Sequence, residues 1–163
     1  MQILIVSDSL DQVGTLRALA LGAGLKHVEG FTHPAAALDW CADNAPDLVL
    51  VDQMMRACDG LEFLRRFRAL PHLLDVPFVL MLPPVAGLGA VRALAWKLGV
   101  TDFLSLPVDD TEFVVRLRNL LLLRSAVLTH AELPGFSARP PQASGAHWLD
   151  APLAESHSLA QFH

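Results

Sequence analysis

Short, unbroken apolar runs recur along the chain, and apolar residues at helical spacing follow each of them. Residues 3–6, ILIV, stop at Ser7-Asp8; residues 48–51, LVLV, stop at Asp52; residues 78–82, FVLML, stop at Pro83-Pro84. Runs of this kind predict strands buried on both faces. Residues 26–31 have mixed polarity and predict a weaker edge strand, and residues 103–106 a last short strand before Pro107. Val13, Leu16, Ala20 and Ala23 predict a helix closed by Gly22 and Gly24. Thr32 is the expected N-cap of a second helix, with Pro34 in its first turn and Asn44-Ala45-Pro46 at its end. Residues 61–70 predict a third, with Leu61, Leu64, Phe67 and Leu70 inward and Arg65, Arg66 and Arg68 outward. Residues 88–98, capped by Gly99, and residues 111–124 predict the last two.

Strand and helix therefore alternate five times. Such an order needs crossover connections, which make the sheet parallel and cover both of its faces. Ligands of these sheets sit outside the carboxyl ends of the strands. Asp8, Asp52, Leu82 and Leu106 stand at those ends and are expected to converge on one pocket.

Composition narrows the function classes. The 163 residues are 53% hydrophobic, enough for one well-filled domain and a short extension. No apolar run reaches the roughly 18 residues of a membrane span, and the start, MQILIVSD, reads as a first strand instead of a signal peptide. A cytoplasmic location is expected, and Cys41 and Cys58 fit a reducing compartment. A net charge of −5 with no basic run speaks against nucleic acid. With no nucleophile–base pair, Gly-rich phosphate loop or metal cluster, an independent enzyme is not expected. Residues 125–163 change character, with four of the 11 prolines and four of the seven histidines, and predict a Pro-rich tail.

The segments ILIVSDS, PDLVLVDQMMRACDG, VPFVLMLPP and LGVTDFLSLPVD resemble the landmark segments of the receiver domain of bacterial two-component response regulators. The resemblance covers residues 1–124. It implies a flavodoxin-like, doubly wound five-stranded fold and an aspartate that accepts a phosphoryl group from a histidine kinase beside bound Mg²⁺. Carried over, it makes Asp52 the phosphoacceptor, Asp8, Asp52 and the backbone carbonyl of Met54 the metal contacts, and Phe103 the aromatic that reports activation.

Phosphoryl transfer to a carboxylate rests on positioning and charge neutralisation, so each missing group matters. Ser7 stands where the family has a second acid, Leu82 where it has Thr or Ser, and Leu106 where it has lysine. Losing one buried charge-assisted contact costs about 1.5–3 kcal/mol. Arg56 replaces the usual proline of the loop after Asp52. It is either a solvated loop residue or a substitute cation that reaches Asp8 or Asp52. Asp52 itself is either a phosphoacceptor or a strand-terminal acid held by local bonds. Mg²⁺ binding is expected to be weak.

The fourth and fifth predicted helices are apolar on more than one side, with Arg92, Trp96, Lys97, Val115 and Leu122 outside the core set. This face is either a homodimer or partner surface or an extended core. Together these features predict a non-catalytic signalling module that works through protein–protein contact. The alternatives are a working receiver and a small-molecule sensor with Leu82 and Leu106 lining its pocket. The tail segment PLAESHSLAQF is similar in spacing to the opening of diguanylate cyclase domains, and RLRNLLLLR to receiver ends that precede cyclic-di-GMP enzymes. Residues 125–163 are therefore either a Pro-rich linker and tail or the start of a truncated output domain.

Overall fold

The computed structural model describes residues 1–131. The predicted tail, including PLAESHSLAQF, lies outside the described residues. Five parallel strands, β1 (Gln2–Val6), β2 (His27–Phe31), β3 (Leu48–Asp52), β4 (Phe78–Leu82) and β5 (Asp102–Ser105), lie in the order β2-β1-β3-β4-β5. The register pairs Ile3 with both Val28 and Leu48, Val49 with Phe78, and Leu80 with Phe103. The helices are α1 (Leu10–Gly22), α2 (Pro34–Asp43), α3 (Gly60–Arg68), α4 (Gly89–Leu98) and α5 (Asp110–Ala131), with one 3₁₀ turn at Pro71–Leu73. This is the parallel, doubly covered sheet that the alternation predicts, in the flavodoxin-like α/β architecture that the receiver resemblance implies.

The period of two along each strand divides the interior into two cores. Leu4, Val6, Val49, Val51, Leu80 and Leu82 face a core closed by Phe63, Phe67 and Ala95. Ile3, Ile5, Leu48, Leu50, Val79 and Met81 face the other, closed by Val13, Leu16, Phe113 and Leu117. Both faces of β1, β3 and β4 are covered, which is why these strands read as continuous apolar runs. β2 pairs only with β1 and is the edge its mixed polarity predicts.

Several boundaries differ from expectation for local reasons. His33, not Thr32, is the N-cap of α2 and makes no capping bond; the Thr32 hydroxyl lies 3.1 Å from the His33 ring instead. Asp59 caps α3 by accepting from the Glu62 N–H, so α3 starts one turn position earlier and turns Phe63 inward beside Leu64 and Phe67. Leu61 and Leu70 are only partly buried. α5 continues past Arg124 to Ala131, because nothing in Ser125, Ala126 or Val127 breaks a helix. Cys41 and Cys58 are both free thiols.

Arg68, expected outward, bends back over the end of α3. Its guanidinium donates to Gly99 O (2.9 and 3.2 Å) and Leu73 O (2.7 Å) and lies over the rings of Phe67 and Phe78. It thereby fastens the left-handed Gly99 cap of α4 (φ 87°) to α3. Arg68→Ala is expected to cost about 2 kcal/mol, since Gly99 O loses both donors. A urea denaturation midpoint unchanged from wild type would refute this role.

Candidate functional site

β1 and β3 are neighbours, so their carboxyl ends bring Ser7, Asp8 and Asp52 together. Parity puts Ser7 and Asp52 on the same side of the sheet. Ser7 is fully buried and Asp52 is 5% exposed. The Ser7 hydroxyl donates to Asp52 Oδ2 at 3.0 Å, and the Met54 N–H donates to Asp52 Oδ1 at 2.9 Å. Ser7 Oγ in turn accepts from the Ser9 N–H at 3.3 Å. Both carboxylate oxygens of Asp52 are thus satisfied from within the chain, as burial of a polar group demands.

Asp8 lies at the rim. Arg56 gives it two bonds on one oxygen: its backbone N–H at 3.2 Å and its Nε at 3.1 Å both reach Asp8 Oδ2. The Arg56 side chain is 91% exposed and that of Asp8 is 25% exposed, so the guanidinium crosses the pocket from outside. These bonds hold the Asp8 carboxyl below the usual carboxylate range. Arg56 is thus both solvent-exposed and within hydrogen-bonding reach of Asp8.

The four strand-end positions do not converge on one pocket. Leu82 is 1% exposed and packs in the α2–α4 core. Leu106 packs on the opposite side, against the α1–α5 core. Leu106 N donates to Leu82 O at 2.8 Å, so the backbones are adjacent while the side chains go to different faces. Leu106 lines a separate cleft of about 350 Å³ with Gln12, Leu16, Leu19, Pro107 and Val108. The expected sensor pocket shared by Leu82 and Leu106 is therefore corrected: alternation along neighbouring strands separates them.

A larger cleft, about 410 Å³, opens beside Asp8 and is lined by Leu10, Thr32, His33, Pro34, Arg56 and Ala57. Thr32 and His33 carry no sequence signal for this place beyond following β2 directly. The hydrogen bond from Ser7 to Asp52 was equally hidden, because a serine after an apolar run does not disclose its partner.

Phe103, 8% exposed, sits under α4. The Trp96 ring meets it edge-on at 5.0 Å and the Arg92 guanidinium lies 4.7 Å above it. Trp96, Val115 and Leu122 are 55%, 51% and 68% exposed, and Arg92 and Lys97 are exposed beside them. β5 is an edge strand of the sheet, and Trp96 and Arg92 of α4 lie against its Phe103. Arg116 of α5 pairs with Asp102 of β5 and with Glu112, fixing α5 on that edge.

This geometry can be set against known proteins. Residues 3–118 match the model of the response regulator receiver domain. The chain belongs to that family. The receiver is 39% identical over 126 residues to the cyclic di-GMP phosphodiesterase response regulator RpfG of Xanthomonas campestris pv. campestris (strain 8004), covering 76% of this chain and 32% of RpfG. It is 33% identical over 119 residues to the response regulator PleD of Caulobacter vibrioides (strain NA1000 / CB15N), covering 73% of this chain and 26% of PleD. The chain spans about a third or less of the length of these relatives. Among solved structures, a CheY-like receiver domain protein of Methanospirillum hungatei JF-1 superimposes with a TM-score of 0.69 at 18% identity, over 77% of this chain and 96% of that one. The Vibrio cholerae chemotaxis protein CheY4 does so with 0.67 at 19%, over 73% and 97%. These two share the fold. No described helix is long and apolar enough to cross a membrane.

Proposed function

We propose that this receiver is a cytoplasmic, non-catalytic signalling module that acts through protein contacts without depending on phosphorylation of Asp52. The observation that carries this reading is the fate of the two leucines. Leu82 and Leu106 stand where an acyl phosphate would need a hydroxyl and an ammonium, and their side chains go into opposite cores. Leucine offers neither a hydrogen-bond donor nor a positive charge, whichever way its side chain turns. Asp52 also meets its hydrogen-bonding needs through Ser7 and Met54, so a dianion placed there would displace satisfied bonds in a buried setting.

The donor set does not fit Mg²⁺ as it stands. That ion asks for near-octahedral oxygen coordination, whereas Ser7 Oγ is engaged with Asp52 and Ser9, and Asp8 Oδ2 with Arg56. Among the described residues no group of three or more His, Cys, Asp or Glu side chains is placed to hold a metal ion. The output is proposed to pass through Trp96, Arg92, Lys97, Val115 and Leu122, to a histidine kinase, another signalling protein or a second copy. The likeness to RpfG supports placing the module in a longer regulator connected with cyclic di-GMP.

The test is intact mass after incubation with a small phosphodonor and Mg²⁺. No phosphoryl gain is expected. A gain of one phosphoryl group that disappears in Asp52→Ala would return the chain to the working receivers.

A further inference from the structure

The acidic pocket carries its own counter-charge. Two carboxylates, Asp8 and Asp52, remain at the ends of β1 and β3. Serine at position 7 removes a third negative charge and supplies a proton donor to Asp52 in its place. One guanidinium then stands 3.1 Å from the remaining rim carboxylate.

The bonding pattern is specific. Arg56 binds one oxygen of Asp8 with two donors of a single residue, the backbone N–H and Nε. The backbone bond sets where residue 56 sits, and the side-chain bond sets where its charge sits. Together they tie the loop after β3 to the end of β1. A proline at position 56 could make neither bond, having no N–H and no cation. A divalent ion that coordinated Asp8 Oδ2 would have to displace the guanidinium from the oxygen it occupies, and would be repelled by it at close range.

We infer that Arg56 is a resident cation that takes the place of a divalent metal at Asp8 and holds the loop after Asp52 in one fixed geometry. This inference rests on the phosphorylation-independent reading above and adds its regulation: the loop is set by a covalently attached charge whose occupancy does not vary with metal concentration. Arg56 is a positioning residue in this account. Exposure does not argue against it, because the role needs occupancy of the Asp8 oxygen and not a large stability contribution from an exposed ion pair.

The experiment uses the full chain as wild type, Arg56→Ala and the double variant Ser7→Asp/Arg56→Ala, with Mn²⁺ as the probe and thermal unfolding as the check that each is folded. Mn²⁺ binding is read from loss of its free electron paramagnetic resonance signal. Wild type is expected to take up no Mn²⁺ at millimolar concentration. Arg56→Ala should bind measurably, and the double variant about tenfold tighter again, as carboxylate count sets affinity at such sites. A wild type that binds Mn²⁺ as tightly as Arg56→Ala would overturn the inference, and so would a folded double variant that binds none. A second measurement needs no metal: exchange of the Arg56 Nε–H, followed by NMR, should be slower in wild type than in Asp8→Ala. Equal rates would refute the ion pair in solution. Phosphoryl gain on wild-type Asp52 would instead sink the functional reading, whatever Arg56 does with metal.

Discussion

Gly60→Ala is expected to destabilise the domain by about 3 kcal/mol, near the upper end of what overpacking costs. A Cβ at this position would lie 2.5 Å from Leu80 Cδ1, 2.8 Å from the Asp52 carbonyl oxygen and 2.9 Å from Gln53 Cα. The first contact is with a side chain that can give way. The other two are backbone atoms at the end of a strand buried on both faces, and they cannot. Helix propensity pulls the other way, favouring alanine by about 1 kcal/mol at an interior position and less at the first turn. Packing therefore wins. The reason for the close approach is visible in the chain itself: Asp59 caps α3, Gly60 N donates to Gln53 O at 3.2 Å, and the helix begins directly against the strand end that carries Asp52. The clash thus falls on the site as well as on stability. Urea denaturation measures the first consequence, with an unchanged m-value as the sign of a native-state effect. The second is a shift of the Ser7 and Asp52 backbone resonances. A loss below about 1 kcal/mol would mean that the α3 start is looser than this geometry implies.

The second large effect is expected from Phe103→Ala, at about 3–4 kcal/mol. The ring is 8% exposed and closes the α4 side of the core. Its removal leaves a cavity beneath a helix with few anchors of its own, for Ala95 is the only residue of α4 that is fully covered. Trp96 and Arg92 would lose the surface they rest on, at 5.0 Å and 4.7 Å from the ring centre. The change should therefore disturb the proposed contact face together with the fold. Urea denaturation gives the energy. Tryptophan emission should shift to the red in Phe103→Ala, and should not do so when Phe103→Ala is added to Trp96→Phe. A folded variant that loses less than about 1.5 kcal/mol would show that α4 stays seated without the ring.

Much of the fold was legible because each element is locally consistent. LVLV and FVLML are apolar at every position and are short and bounded by Asp or Pro, which together favour a strand covered on both faces. Phe113, Leu117, Leu120 and Leu121, apolar residues at helical spacing in the last helix, are all buried. Where the reading slipped, a cap or a neighbour decided. Phe63 was passed over because the stripe through Leu61, Leu64 and Phe67 looks equally helical, and only the Asp59 cap sets which stripe turns inward. Arg68 looked like one more exterior arginine until the Gly99 cap of α4, 31 residues away in the chain, supplied its acceptor.

The site divides in the same way. From the residues alone came the list of groups: an acid after β3, one acid and one serine after β1, leucines where a hydroxyl and an ammonium would serve, and an arginine in the loop. Those are identities, and identity is what a sequence contains. Pairing was decided by the tertiary structure. Strand order makes β1 the neighbour of β3, so Ser7 reaches Asp52 across 45 residues of chain and Arg56 reaches Asp8 across 48. Strand parity sends Leu82 and Leu106 to opposite cores although their backbones are hydrogen-bonded neighbours. Periodicity within a segment is a local property and is written in consecutive residues. Which carboxylate meets which donor depends on distances between segments, and these exist only once the sheet has closed.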